Sequence, residues 1–240
     1  MSTHKKSIGT RNESNLHRSL KFRYTGSDGF TEVETGEFVA DGRKADGEYI
    51  EVQTGSFAPL EKKIRELSKK SKVRIIHPIA VKKTIEVYES IEKKKKNAGL
   101  RYGKLLYRRK SPVKGNKWNI FDALVYAPTL PLLRRVSIEI VFVEIIEKRI
   151  KDGKGSWRRK GISIADRELA AWRDSILFKR PKDFLTFLPF KKNEEFTGAA
   201  LAKRSCIDIA SARKALYVLT KMNVVKRIGK QGNSWKYVVS

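Results

Sequence analysis

The sequence is poor in cysteine, histidine and acidic residues, and it has no long apolar run. Cys206 is the one cysteine in 240 residues, which excludes an internal disulfide and a thiolate zinc site and fits a reducing compartment. The three histidines, His4, His17 and His77, are scattered, and no pair has the HxxxH spacing of a helical metal site. No phosphate-binding GxxxxGK[ST] loop is present. The best apolar run, VSIEIVFVEII (136–146), is interrupted by Glu139 and Glu144 and is too short to cross a bilayer. The opening MSTHKKSIGTRNES lacks the apolar centre of a signal peptide. These absences set the expectation of a soluble cytoplasmic protein without a membrane partner.

What is abundant is positive charge. Lys and Arg number 53 against 26 Asp and Glu, a formal +27, and such a surplus favours polyanions through counterion release and long-range steering. Nucleic acid is the expected partner, with a merely solvated basic surface as the alternative. At 40% apolar residues the chain can bury a core, and its length allows two modest domains.

Residues 1–11 are polar and basic and read as a flexible arm. Leu16, Leu20 and Tyr24 then recur at helical spacing from Glu13 onward, with Glu13 on the buried stripe, His17 at its edge and Lys21 further round. EFVAD (37–41) and EYIEVQT (48–54) read as a hairpin across a glycine-rich turn. Ser56 is placed to cap a following helix whose inward stripe is Leu60, Ile64 and Leu67, with Pro59 in its first turn. VRIIHPIA (73–80) and TIEVYES (84–90) read as two strands, EKKKKNAG (92–99) as a solvated turn, NIFDALVYA (119–127) as a helix and RRVSIEIVFVEII (134–146) as a strand. WRRKGISIADRELAAW (157–172) carries no clear period. The order predicts a mixed α/β sheet flanked by helices. A pattern break near FKRPKDF (178–184) divides the chain into 12–180 and 181–240.

The chemistry concentrates at the hairpin. Strand alternation puts Glu51 and Gln53 on one face with Tyr49, and Gly55 follows where the chain turns. Asp41, at the end of the neighbouring strand, is positioned to complete a hard-cation site, since Mg²⁺ takes one or two carboxylates plus waters and phosphate. Asp46, before Gly47, competes for that role but suits a turn. Glu13 on an apolar face requires a compensating cation, either a metal or an ion pair such as one with Lys21.

Glu13, Asp41 and the E-x-Q of Glu51 and Gln53 resemble the PD-(D/E)XK, or restriction-endonuclease-like, nuclease superfamily over roughly residues 13–90. No proline precedes Asp41, and Gln53 stands where the superfamily usually has lysine. Some members recruit a lysine from the next helix, and Lys63, at the edge of the buried stripe, is that candidate, whereas Lys62 points outward. The resemblance implies Mg²⁺ or Mn²⁺ held by Asp41 and Glu51, with Glu13, Gln53 and Lys63 completing the catalytic set and phosphodiester hydrolysis as the reaction. Gln53 would ligate metal or orient water. His17 is placed to contact phosphate or to hydrogen-bond Glu13, with a plain helix-edge histidine as the alternative, and Lys21 is a further candidate for phosphate.

The last sixty residues resemble a winged helix-turn-helix: EFTGAALAKRS as a short helix, DIASARKALYVLTKM as a longer one capped by Asp208, and two strands around a Gly/Asn turn. On the longer helix Ile209, Ala212, Leu216 and Leu219 face inward, leaving Ser211, Arg213, Lys214, Tyr217 and Lys221 for the major groove. Lys226, Arg227, Lys230 and Lys236 line the wing. Arg108, Arg109 and Lys110 open a further basic loop (108–117). The reading is a two-part enzyme cutting duplex or branched DNA, as a homodimer if it cuts both strands. The alternatives are a non-catalytic DNA-binding protein on the same fold and an RNA-binding or RNA-processing protein.

Overall fold

The computed structural model describes residues 13–91 and 102–240. The arm at 1–11 and the turn at 92–99 therefore lie outside the described residues. Ser14 starts helix α1 (Asn15–Thr25) by accepting the His17 N–H, and Gly26, at φ 72°, ends it. Glu13 thus precedes the helix cap rather than riding on the helix.

Three antiparallel strands follow: β1 (Phe30–Thr35), β2 (Phe38–Arg43) and β3 (Tyr49–Val52). Helix α2 (Glu61–Lys70) then carries the chain to β4 (Val73–Glu89), which lies parallel to β3 with Val52 level with Ile76. Leu60, Ile64 and Leu67 are buried as the stripe requires. Ser56 instead accepts from the Ala58 N–H and shapes the 3-10 turn Ala58–Leu60, so it does not cap α2. Gly55 has open space where a Cβ would stand and no left-handed φ, so the turn does not depend on glycine.

The two strands expected at 73–80 and 84–90 are one 17-residue strand. The first half of β4 borders β3, and its second half pairs antiparallel with β5 (Leu105–Lys110). Arg108, Arg109 and Lys110 therefore lie on a strand and not in a loop. After the short helix α3 (Ile120–Leu124), β6 (Val136–Lys151) runs parallel to β4 and β7 (Ile162–Phe178) returns antiparallel to β6. The sheet order is β1-β2-β3-β4-β6-β7 with β5 attached to β4, a mixed sheet with helices on both faces.

α1 packs Leu16 and Leu20 onto Ile50, Val52, Ile76 and Val141 on one face. The other face meets α2, α3 and the carboxy-terminal elements: β8 (Phe196–Thr197), α4 (Gly198–Ser205), α5 (Ile209–Lys221), β9 (Val225–Gln231) and β10 (Ser234–Val239), with β8-β10-β9 as a second sheet. The core is continuous across residue 180. Phe178 stacks on Phe184 at 4.3 Å between centroids, and Leu201, Ala212 and Leu216 belong to the same apolar cluster as Ile64 and Ile75. Ala212, Ala215, Leu216, Val218 and Leu219 form the buried face of α5, while Ile209 is 41% exposed, contrary to its expected inward position. No described helix is long and apolar enough to cross a membrane.

Candidate active site

β2 and β3 leave their regular ladder just past the Gly42–Ile50 pair, and side chains lace the gap. The Asp41 N–H donates to Glu51 Oε1 at 3.3 Å, and the Val52 N–H donates to Asp41 Oδ2 at 2.8 Å. The two carboxylates are thereby fixed by backbone rather than by rotamer preference alone. From α1, His17 Nε2 lies 3.1 Å from Asp41 Oδ2 and 3.6 Å from Glu13 Oε1. From α2, Lys63 Nζ lies 2.6 Å from Glu51 Oε2 and donates to the Val39 carbonyl at 2.7 Å. Lys62 turns outward to Glu37. Glu13, His17, Asp41, Glu51 and Lys63 are thus gathered from two strands and both flanking helices.

Burial pushes the Glu51 carboxyl up to about 7, the nearby Asp41 charge adds to this, and Lys63 offsets part of it. Asp41 moves the other way: burial opposes ionisation, but the hydrogen bond and charge of His17 hold it below the usual carboxylate range. Burial pushes His17 down, and the hydrogen bond and charge of Asp41 more than reverse this, so the imidazole titrates above its ordinary value. Two carboxylates with opposite displacements at one point are a common arrangement of acid–base sites.

Two sequence expectations are corrected. Gln53 is not directed at the carboxylates: its side-chain amide nitrogen donates to the Ser56 carbonyl, and its main-chain carbonyl accepts from His77 Nδ1 at 2.6 Å. It anchors the loop after β3. Lys21 is 3% exposed and paired with Glu13, at 2.9 Å, and with Glu32, so it does not offer its ammonium to phosphate, and Glu13 has its compensating cation from within the chain. Among the described residues no group of three or more His, Cys, Asp or Glu is arranged to hold a metal ion. The site offers Asp41 and Glu51, a pair of hard oxygen donors.

Sequence reasoning missed Glu32, which sits on a strand that carries no pattern signal, and the Val39 carbonyl, which no side-chain motif could disclose. Elsewhere the basic candidates divide. Arg109 and Lys110 are exposed on β5, while Arg108 pairs with the buried Glu86. On α5, Arg213, Tyr217 and Lys221 are exposed. Ser211 is bound to Asp208 through both its N–H and its hydroxyl, and Lys214 is 2.6 Å from Asp122 of α3. Arg227 and Lys230 lie 5.0 and 4.8 Å from the ring of the exposed Trp235, with Arg227 on β9 and Trp235 on β10.

A family model described as a domain of unknown function, DUF8091, matches residues 14–179, ending just beyond β7. An uncharacterized protein of Treponema pallidum (strain Nichols) is 25% identical over 222 residues, covering 92% of this chain and 81% of that protein. No solved structure matches.

Proposed function

The chain belongs to the DUF8091 family, and we propose that it is a metal-dependent phosphodiesterase that cuts DNA, with the carboxy-terminal unit acting as a winged helix on the duplex. The observation that carries this reading is the convergence of Asp41, Glu51 and Lys63. Two carboxylates on adjoining strands meet a lysine from the next helix, the set that the restriction-endonuclease-like resemblance requires once Gln53 replaces the strand lysine. The order of helix, three antiparallel strands, helix and parallel strand supports it. The β8-α4-α5-β9-β10 order and its small sheet support the winged helix.

The donor set suits Mg²⁺ or Mn²⁺. Asp41 and Glu51 repel each other in a buried position, and a bound dication would relieve that repulsion while waters and phosphate oxygens complete its shell. When bound, the cation would supply neutralisation of charge on the phosphate and the leaving oxygen. Of the chain's own groups, Lys63 fixes Glu51 and stands ready to stabilise negative charge on an attacking oxygen. Glu51 would hold the cation in its ionised form, giving up the proton that it binds near neutrality in the cation-free site. His17 holds Asp41 ionised. The Gln53 amide cannot act as a base at neutral pH, and its role is to shape the loop.

The test is cleavage of supercoiled plasmid and branched DNA with Mg²⁺ or Mn²⁺ by the wild type, Asp41→Ala and Glu51→Ala. Metal-dependent cutting that both variants lose while retaining DNA binding supports the proposal. Absence of cutting on every substrate, with tight salt-sensitive binding, moves the protein to a non-catalytic DNA binder. One observation favours that second reading: Lys63, His17 and Lys21 already pair with the carboxylates of the cluster.

A further inference from the structure

β6 and β7, with β4 and β5 alongside, run past β1–β3, and the β6–β7 hairpin tip, residues 151–161, reads KDGKGSWRRKG. Trp157 at this tip is 82% exposed. Its presentation is built rather than incidental. The Gly155 N–H donates to the Gly161 carbonyl at 2.9 Å, the Lys160 N–H closes onto the Trp157 carbonyl at 2.9 Å, and Lys160 adopts a left-handed φ of 50°. Gly153 and Gly161 also hold left-handed φ, and a Cβ on Gly155 would strike the Ile162 carbonyl oxygen at 1.9 Å. Larger residues at these glycines would open the turn that holds the indole outward.

The charge around the indole is one-sided. Lys151, Lys154, Arg158, Arg159 and Lys160 face a lone acid, Asp152. Asp152 is consumed within the turn, accepting from the Lys154 N–H at 3.0 Å and the Ser163 hydroxyl at 2.7 Å. The Arg158 guanidinium lies 5.4 Å from the Trp157 ring centroid. Arg159 Nε donates to the Ile162 carbonyl at 3.2 Å. An exposed indole in a basic tip is suited to a polyanion that also has flat apolar faces, and nucleic acid with accessible bases has both. A membrane surface is disfavoured because Trp157 is the only large apolar side chain in the tip, whereas interfacial insertion scales with buried apolar area. The wing repeats the pairing with Trp235, Arg227 and Lys230.

We propose that the β6–β7 tip is a second nucleic-acid contact, in which Trp157 stacks on bases exposed at an interruption of the duplex while the surrounding cations hold the flanking phosphates. Lys151 is level with Glu89, and Glu51 of the carboxylate cluster is level with Ile75. That run of β4 is on the order of 40 Å of extended strand, about one turn of duplex beyond the candidate active site. The inference rests on the DNA-binding half of the proposed function and not on cleavage.

The test is fluorescence-anisotropy binding in EDTA to two duplexes of about thirty base pairs, long enough to reach both contacts at 3.4 Å per pair. One is perfect and one has a central bulge of unpaired bases. Trp157→Ala should weaken binding to the bulged duplex about ten-fold, Trp157→Phe should stay close to wild type, and both should bind the perfect duplex nearly as the wild type does. Thermal melting checks that the variants are folded. Wild-type affinity of Trp157→Ala for the bulged duplex would overturn the inference, as would loss of binding by Trp157→Ala to phosphatidylserine vesicles but not to DNA. Failure of the wild type to bind either duplex would instead remove the DNA-binding premise.

Discussion

Replacing Glu51 with glutamine should stabilise the protein at pH 8 and change little at pH 5. Glu51 is 1% exposed, so its ionised form loses almost all hydration, and Asp41 adds repulsion. The carboxyl moves from an ordinary 4.5 to about 7 even with Lys63 beside it. The folded protein therefore binds this proton a few hundred-fold more tightly than the unfolded chain, a difference of roughly 3 kcal/mol at most. For a carboxyl raised on folding, the native state holds more protons than the unfolded state between those two values. Stability consequently falls as pH rises from about 4.5 to about 7 and stays low above that. Glutamine cannot titrate and resembles the protonated acid in shape, so the wild-type and variant curves should converge below about pH 4.5, lie within about 1 kcal/mol at pH 5 and separate by about 1–3 kcal/mol at pH 8, local relaxation and water entry taking the lower figure. His17, also raised on folding, loses its contribution over rising pH in both proteins and largely cancels. Urea unfolding followed by circular dichroism at pH 5, 6, 7 and 8 without divalent cation measures the separation. Parallel curves, within about 0.5 kcal/mol, would refute the placement of Glu51. Adding Mg²⁺ should flatten the wild-type curve alone, and a wild-type curve indifferent to Mg²⁺ and Mn²⁺ would refute a cation at Asp41 and Glu51 independently of any cleavage assay.

Lys63→Ala should lower the rate of metal-dependent cleavage by about 10²-fold or more, whereas Lys62→Ala, which loses an exposed pair with Glu37 and an approach to the Phe38 ring, should stay within about two-fold in the same plasmid assay. Lys21→Met should destabilise the protein by about 3 kcal/mol in urea unfolding, because it leaves Glu13 in a largely buried position without its cation. Arg213→Gln should weaken duplex binding and reduce the slope of log affinity against log salt by about 0.9 if it meets one phosphate. An unchanged slope would remove α5 from the DNA interface.

The parts of the fold legible in sequence are those whose pattern is local. The β2–β3 hairpin, the Leu60, Ile64 and Leu67 stripe and the Asp208 cap each follow from neighbours within a few residues. So did Lys63, because its position at the edge of that stripe is geometry of one helix. β1 was illegible because FTEVET alternates only between exposed and half-buried positions, which leaves no apolar face to detect. β7 was illegible because its charges fall on both faces and are satisfied by the neighbouring strand: Glu168 pairs with Lys148, Arg167 with Glu147 and Arg173 with Glu144. The Gln53 side chain was misassigned because its partner is a carbonyl in the following loop, and Lys21 because burial of a lysine depends on Glu13 and on Glu32 from the unread strand.

Lys63 beside Glu51 and the raised proton affinity of Glu51 look opposed, since an ammonium at 2.6 Å should favour the ionised acid. The whole cluster resolves this. Glu13, Glu32, Asp41 and Glu51 face Lys21, Lys63 and a His17 inclined to hold its proton. When all are ionised, one negative charge remains unbalanced, and it falls on the most buried carboxyl, where lost hydration is least replaced. Without another cation the cheapest correction is a proton on Glu51. A divalent cation would displace that proton and leave the cluster with one surplus positive charge, which a phosphodiester anion would balance. On this reasoning, the affinity of the site for a divalent cation should rise with pH through about 7, and DNA phosphate should bind it more tightly when the cation is present.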